Sequence, residues 1–182
     1  MKVTETGFSD LYILEPIIHK DGRGFFFESY SQKKFAESGI HSIFVQDNHV
    51  KSSDKNVLRG LHYQKPPYAQ SKLIRVVKGS IYDVVVDLRK SSKTFKQWYG
   101  VELSDKNFKQ LFVPRGFAHA YLTLESNCEV LYKVDNVYDP KSEGGVLWND
   151  PELSIDWQVF EPIVSEKDKK LQTLSFSLDI FQ

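Results

Sequence analysis

The sequence predicts an all-β fold, and three observations favour that class. Short runs rich in β-branched and aromatic residues alternate with turn signals over most of the 182 residues. No long stretch carries apolar residues at a sustained helical spacing. Thirteen Phe, nine Tyr and three Trp make up 14% of the chain, which suits the surfaces of sheets. At least eight short strands are expected, which favours a sandwich, jelly roll or barrel.

The predicted strands follow in chain order, each bounded by turn residues. They cover residues 25–30, 42–50, 57–64, 73–77, 81–88, 98–103, 110–113, 118–124 and 129–137. The turn at Lys78 and Gly79 predicts that 73–77 and 81–88 form a hairpin. Alternation in the second of these strands predicts two faces, with Asp83, Val85 and Asp87 on one and Tyr82, Val84, Val86 and Leu88 on the other.

Two short helices are predicted beside the strands. The first covers residues 32–37, where Ser31 is a suitable N-cap and Gly39 a suitable end. The second begins after Ser165, because Asp168 three residues later gives a variant of the capping box.

Composition limits the class of protein. The chain has the length of one domain, 1–182, and contains no internal repeat or linker. Lys plus Arg and Asp plus Glu are both 24, so no overall charge attracts nucleic acid or a membrane surface. A single cysteine, Cys128, and the lack of an apolar leader or span predict a cytoplasmic protein.

The segment most indicative of function is RGLHYQ at positions 59–64, followed by Lys72. A histidine moves protons near neutral pH, and nearby cations stabilise an anionic substrate or a developing enolate. Arg59 and His62 are three positions apart, so a regular strand would send them to opposite faces. A bulge at Gly60 would direct both into one cavity. The alternative is that Arg59 is a surface charge and His62 a core histidine.

A second motif, PRGFAH at positions 114–119, has the Pro-x-Gly-x-x-His spacing of the second cupin motif. Its glycine and proline fit a turn that leads into a strand carrying His119. Metal-binding cupins gather several histidines and a glutamate, whereas His62 is followed by Tyr63 and Gln64 with a cation at Lys72. We therefore predict no catalytic metal.

These segments together resemble the nucleotide-sugar 3,5-epimerases typified by dTDP-4-dehydrorhamnose 3,5-epimerase. Further matches are DGRG at 21–24, FFFESY at 25–30, QDN at 46–48, EGG at 143–145 and SEKD at 165–168, with Tyr132 and Tyr138 between them. The resemblance spans residues 8–168. It implies a cupin-like antiparallel jelly roll, or double-stranded β-helix, with a few short helices. Each motif alone also fits an ordinary structural role.

For catalysis the resemblance implies epimerisation at C3 and C5 of dTDP-4-dehydro-6-deoxy-D-glucose, next to a C4 ketone, to give dTDP-4-dehydro-L-rhamnose. His62 would be the base and Asp168 the carboxylate that orients it. Tyr132 would return a proton from the opposite face, and Lys72 would lie near the enolate oxygen. No cofactor is expected.

For binding, the resemblance implies cations for the diphosphate and sugar, an aromatic ring that stacks on the base, and polar groups around them. These residues are Arg23, Phe26, Glu28, Gln46, Asn48, Arg59, His119, Tyr138, Glu143 and Lys167. It also implies a homodimer in which the N-terminal residues Arg23, Phe26 and Glu28 complete the partner's site.

Other functions remain open from the sequence. Related enzymes invert C3 alone, move the ketone between C3 and C4, or accept another nucleotide. A non-catalytic cupin that binds a nucleotide sugar is the alternative of another class, and a metal-dependent cupin oxygenase is disfavoured by the lack of ligands. A place in rhamnose and polysaccharide biosynthesis is implied by the family alone.

Overall fold

The computed structural model describes residues 1–176 and 181, and strands dominate that part of the chain. One α-helix, α1, covers Gln32–Glu37, and two 3-10 helices cover Asp168–Lys170 and Leu174–Phe176. The strands are β1 (Lys2–Glu5), β2 (Tyr12–Glu15), β3 (His19–Asp21), β4 (Gly24–Phe26), β5 (Gln46–Ser52), β6 (Val57–Gln64), β7 (Lys72–Lys78), β8 (Ser80–Asp87), β9 (Trp98–Ser104), β10 (Gln110–Val113), β11 (Phe117–Thr123), β12 (Cys128–Val134), β13 (Glu143–Gly145) and β14 (Ile163–Val164).

Most strands belong to two facing sheets. Sheet 1 has the order β1-β2-β10-β7-β12-β5. Sheet 2 has the order β13-β6-β11-β8-β9, and β14 pairs in parallel with β6. The other pairings are antiparallel, including the separate ribbon of β3 and β4. This architecture is the predicted cupin-like jelly roll.

The core has three layers, because both sheets are covered on their outer faces. Between the sheets, Ile74 and Val130 of sheet 1 pack with Val85 and Tyr121 of sheet 2. The outer face of sheet 2 buries a cluster that includes Trp157 of the C-terminal segment. The outer face of sheet 1, which includes Leu14, Leu73 and Phe112, is covered by Phe35 of α1 and by Ile40. These layers fix the strands that carry the site.

The predicted hairpin between 73–77 and 81–88 is wrong. The turn at Gly79 is present, but β7 lies in sheet 1 and β8 in sheet 2, so the chain turns a corner between the sheets. Gly79 has φ of +79°, and a Cβ atom there would lie 2.7 Å from Sγ of Cys128. The two predicted faces of residues 81–88 are confirmed: Val84 and Val86 pack outside sheet 2, whereas Val85 packs between the sheets.

Several element bounds also differ from the prediction. The strand predicted at 25–30 is limited to β4, and the segments 42–50 and 129–137 are strands only over β5 and β12. The first three strands, which are three or four residues long, were not predicted. The helix at 32–37 is confirmed and ends before Gly39, whose φ is +85°. The helix predicted after Ser165 is only the single 3-10 turn Asp168–Lys170.

Candidate functional site

A cavity between the two sheets contains the four residues expected to act in catalysis. It has two lobes, which we name after their most characteristic residues. The Arg59 lobe has a volume of about 520 Å³, and the Tyr138 lobe has a volume of about 270 Å³. His62, Lys72 and Tyr132 line both lobes, so the lobes join at these three residues. The volume of the Arg59 lobe alone is in the range of small-molecule sites.

A bulge in β6 brings Arg59 and His62 into the same lobe. On β11, His119 faces His62 and Tyr121 faces Arg59, so three positions on β6 match two on β11. Gly60 lies in the extra step with φ of +121°, and a Cβ atom there would be 2.5 Å from the carbonyl oxygen of His119. Only glycine fits such a conformation and approach. The predicted bulge is confirmed.

His62 forms a close pair with Asp168 at the join of the two lobes. The Nε2 atom of His62 lies 2.7 Å from Oδ1 of Asp168, and the backbone N–H of Gly60 donates to Oδ2 at 3.3 Å. Burial acts to raise the pKa of Asp168, but His62, Gly60 and Ser165 together hold this pKa below its ordinary value. The carboxylate therefore stays ionised, and the second ring nitrogen of His62 is left to accept a proton.

The position of Asp168 is set by its own short turn. The backbone N–H of Asp168 donates to Oγ of Ser165 at 3.1 Å, which is half of a capping box. The other half is absent because the carboxylate points at Gly60 and His62 instead. The capping-box pattern thus correctly predicted a turn that starts at Ser165. Because the carboxylate of Asp168 does not complete the capping box, it is available to His62.

A second histidine–carboxylate pair lies beside the first. Nε2 of His119 is 3.0 Å from both carboxylate oxygens of Asp83, and both side chains are buried. Asp83 comes from β8, the strand next to β11. The structure places His119 in the Arg59 lobe, as a residue held from behind by a buried carboxylate.

Lys72 and Tyr132 come from sheet 1 and face His62 of sheet 2 across the cavity. Burial lowers the pKa of Lys72 from 10.5 to about 8, although Asp83 and Glu143 act in the opposite direction. Burial raises the pKa of Tyr132, with Arg59 acting against it and Glu143 adding to it. Tyr132 therefore keeps its phenol proton near neutral pH, and Lys72 is poised to change charge slightly above it.

The Tyr138 lobe is lined by polar residues that bind one another. Tyr138 donates to Oε2 of Glu143 at 2.9 Å, and Lys167, which lines the Arg59 lobe, donates to Oε1 at 2.6 Å. Burial opposes the ionisation of Glu143, but these two bonds hold its pKa below the ordinary value. On the other side, Gln46 donates to Asn48 at 2.9 Å. The ring of Tyr138 is half exposed and is free to stack on a flat ligand.

Three of the expected binding residues lie away from this cavity. Arg23 pairs with Asp21 beside the ribbon of β3 and β4, and Phe26 in that ribbon is 70% exposed. Glu28 pairs with Lys34 of α1. None of the three lines either lobe within the described chain.

Sequence reasoning missed two residues of the site: Tyr121, which lines the Arg59 lobe, and Asp83, which lies behind His119. Asp83 was placed on a strand face but was given no role, and Tyr121 was not considered. The alternation of β11 offered a signal for Tyr121, because positions 119 and 121 share a face. Nothing in the local sequence pairs Asp83 with His119, since 36 positions separate them.

The described residues show neither a metal-binding cluster nor a membrane-spanning helix. Residues 1–176 and 181 contain no group of three or more His, Cys, Asp or Glu side chains arranged to hold a metal ion. Within these ranges, no helix is long and apolar enough to cross a membrane. The absence of a catalytic metal stays a prediction.

Comparison with known proteins identifies the family. The family model for dTDP-4-dehydrorhamnose 3,5-epimerase matches residues 5–175. The dTDP-4-dehydrorhamnose 3,5-epimerase of Salmonella typhimurium is 51% identical over 180 residues, which cover 98% of both chains.

Solved structures agree with this match. The Bacillus anthracis epimerase with TDP and PPi bound is 53% identical, covers 95% of this chain and 99% of its own, and gives a TM-score of 0.93. The Legionella pneumophila epimerase in complex with dTDP-4-keto-L-rhamnose is 42% identical, covers 100% and 98%, and gives a TM-score of 0.92. The chain therefore belongs to the dTDP-4-dehydrorhamnose 3,5-epimerase family and is an isomerase.

Proposed function

We propose that this chain inverts C3 and C5 of dTDP-4-dehydro-6-deoxy-D-glucose by using groups from both sheets on opposite sides of the sugar. One observation carries the proposal. His62 of sheet 2 and Tyr132 of sheet 1 line the same two-lobed cavity, and Lys72 of sheet 1 lies with them at its join. Inversion next to a ketone needs a base on one face and an acid on the other, and this arrangement supplies both.

In the first step His62 removes the proton from C3 or C5, which the C4 ketone makes acidic. The imidazole becomes imidazolium, and Asp168 at 2.7 Å stabilises that charge while holding the ring in position. The electron pair moves to the ketone oxygen and gives an enolate. Tyr132 then donates its phenol proton to the opposite face of the same carbon, which inverts it. Solvent returns the proton to Tyr132 and removes the one on His62.

The enolate oxygen requires a positive group at the moment its charge develops. Lys72 is the cation at the join of the lobes, and Asp83 and Glu143 help to keep it protonated. General acid–base catalysis contributes roughly 10²–10⁴-fold, and a preorganised charge of this kind contributes roughly 10²–10³-fold more. No step uses a metal or an organic cofactor.

The nucleotide has its own set of contacts in this proposal. Tyr138 stacks on the thymine ring, and Gln46, Asn48 and Glu143 supply polar contacts around it. Arg59, His119 and Lys167 hold the diphosphate and the sugar, for which the fork of an arginine is well suited. The Legionella pneumophila relative, which binds dTDP-4-keto-L-rhamnose, supports this class of ligand.

We further propose that two copies of the chain form the working enzyme. The ribbon of β3 and β4 carries Arg23 and the exposed ring of Phe26, and Glu28 follows it. These residues do not reach the cavity of their own chain, whereas β5, which carries Gln46 and Asn48, is an edge strand of sheet 1. An edge strand offers free backbone groups to a second copy. The ribbon would then complete the partner's Tyr138 lobe. A cytoplasmic location stays a prediction.

A complementation experiment tests the shared site. His62→Asn removes the base, and a triple variant Arg23→Ala, Phe26→Ala, Glu28→Ala removes the ribbon contacts. Each protein alone should be nearly inactive. After subunit exchange at equal amounts, half of the dimers are mixed, and one site in each mixed dimer is intact, so about a quarter of wild-type activity should return. No recovery, with mixed dimers present by mass spectrometry, would contradict the shared site.

The reaction itself is tested by turnover in deuterated water. We expect the product from the dTDP-4-keto sugar to carry two deuterons, at C3 and C5, without added metal and in the presence of a chelator. One deuteron at C3 would instead indicate a mono-epimerase. No incorporation, with intact binding of dTDP, would indicate a nucleotide-sugar-binding protein.

A further inference from the structure

The hydroxyl group of Tyr121 is a buried polar group in the cavity that the proposed mechanism does not use. Tyr121 is 5% exposed, and its hydroxyl oxygen has no hydrogen-bond partner among the described residues. The hydroxyl of Ser52 is near enough to act against the raised pKa of Tyr121, but it does not reach hydrogen-bond geometry with the phenol, and its Oγ accepts from Nε of Arg59 at 3.2 Å. A buried hydroxyl without a partner destabilises the folded protein. Such a group in a native site calls for a ligand that satisfies it.

The position of Tyr121 relates it to the sugar. On β11 it is two residues after His119 and faces Arg59 of β6 and Asp83 of β8. It lines the Arg59 lobe together with His62, Lys72 and Tyr132, and it is not among the residues of the Tyr138 lobe. Tyr121 therefore lies at the part of the cavity that holds the reacting groups.

We propose that Tyr121 binds the substrate directly, by donating a hydrogen bond from its hydroxyl to an oxygen atom of the 4-keto sugar. This proposal rests on the function proposed above and adds a residue to it. The sugar offers a ring oxygen, hydroxyl oxygens and the ketone, all of which accept hydrogen bonds. With the sugar bound, the hydroxyl gains a partner that the described protein groups do not supply.

The electrostatic surroundings favour a donor role. Burial raises the pKa of Tyr121 to about 12, although Arg59 acts against this shift, so the phenol remains protonated wherever the enzyme works. Its ring is held by the core between the sheets and lies 6.3 Å from the ring of His119. A fixed ring presents the hydroxyl in one place, which helps to select one orientation of the sugar. A double epimerase must present C3 and C5 in turn to one base, so such a contact bears directly on the reaction.

Tyr121→Phe tests the proposal, with Tyr99→Phe as the matched control. Tyr99 is a partly buried tyrosine of β9 that packs on Phe8 and lies outside both lobes. Three quantities are measured for each protein: the thermal midpoint without ligand, kcat/KM with the dTDP-4-keto sugar, and Kd for dTDP alone.

We expect the thermal midpoint of Tyr121→Phe to be equal to or above that of wild type, because the change removes an unsatisfied buried group. We expect kcat/KM to fall roughly 5- to 100-fold, because a sugar oxygen then loses its partner in a buried site. Kd for dTDP should not change. Tyr99→Phe should match wild type in both kcat/KM and Kd.

Three results would overturn the proposal. An unchanged kcat/KM would mean that the hydroxyl does not contact the sugar. A thermal midpoint several degrees lower would mean that the hydroxyl already has a partner, such as Ser52, in the free protein. A parallel loss of affinity for dTDP would assign the contact to the nucleotide. Because wild-type turnover is measured in the same series, failure of this proposal is distinguishable from failure of the proposed function.

Discussion

The two histidine–carboxylate pairs of the cavity are built from the same residue types but differ in what they are free to do. The side chain of His62 is 32% exposed, and a single oxygen of Asp168 contacts it. His119 is 8% exposed, and both oxygens of Asp83 hold it. His62 faces His119 across two neighbouring strands, so the pairs share one environment. Both histidines line the Arg59 lobe, but the greater exposure and single carboxylate contact of His62 distinguish a histidine that can exchange protons from one that is held in place.

The supports of the two carboxylates differ in the same way. Asp83 is fixed in β8, a strand buried on both faces of sheet 2. Asp168 comes from a single 3-10 turn near the C-terminus and reaches across to the bulge at Gly60. A central strand supplies a rigid orienting charge, whereas the turn places a carboxylate where the bulged strand leaves a backbone N–H available. We infer that the pair of His119 and Asp83 positions the substrate and that the pair of His62 and Asp168 carries out proton transfer.

The largest expected effect separates the two histidines. His62→Asn should lower kcat by roughly 10⁴-fold, because the general base is lost, while the fold is retained. His119→Asn should lower kcat/KM by roughly 10-fold, because it loses a hydrogen bond to the ligand rather than the base. Steady-state kinetics and circular dichroism of both variants check this difference. Equal losses in the two variants would remove the distinction drawn between the pairs.

Replacing the two carboxylates should affect kcat in the same order as replacing their histidines, with smaller losses. The loss of kcat in Asp168→Asn should be one to two orders of magnitude smaller than the loss in His62→Asn, because an orienting group contributes less than the base itself. Asp83→Asn should act mainly on kcat/KM, since His119 contacts substrate in the proposal. Kinetics at saturating and limiting substrate separate the two parameters. A larger loss of kcat in Asp83→Asn than in Asp168→Asn would reverse the assignment.

Lys72 should make kcat/KM depend on pH. Its pKa of about 8 in the folded protein is below the ordinary value of 10.5, so the cation is lost above about pH 8 and kcat/KM should fall there. Asp83 raises this pKa, so Asp83→Asn should move the fall to lower pH.

Stability should change in the opposite direction over the same range. Between these two pKa values the unfolded state binds more protons at Lys72 than the folded state does, so this residue makes the protein more stable as pH rises. Rate profiles and urea unfolding between pH 7 and pH 10 measure both trends. A wild-type profile with no decline above pH 8 would show that the charge on Lys72 is not required.

The sequence was sufficient for the sheet class and for most central strands, because buried strands carry long runs of β-branched residues. It was insufficient where a few residues decide how two strands are connected or whether a short strand forms. The chain turns at Gly79 between two sheets, and a Lys-Gly turn alone does not distinguish that corner from a hairpin. The short strands near the N-terminus have too few residues to show a period.

The candidate site divides in the same way. The bulge at Gly60 was predictable, because a bulge at a glycine between Arg59 and His62 is the simplest way to direct both side chains into one cavity. Asp83 was not, because its partner His119 is reached only through the pairing of β8 with β11. The family resemblance identified Asp168, which lies 106 positions from His62. The contact of Asp168 with the bulge depends on a single 3-10 turn, where the sequence had predicted a longer helix.

The central claim is that base and acid act from opposite sides of one sugar, and Tyr132→Phe in deuterated water tests it most directly. With the base intact and the acid removed, His62 should still take protons from the dTDP-4-keto sugar and return deuterons to the same face. Mass spectrometry and NMR should therefore find deuterium in sugar whose configuration is unchanged. Inversion of C3 and C5 by this variant at the wild-type rate would contradict the account.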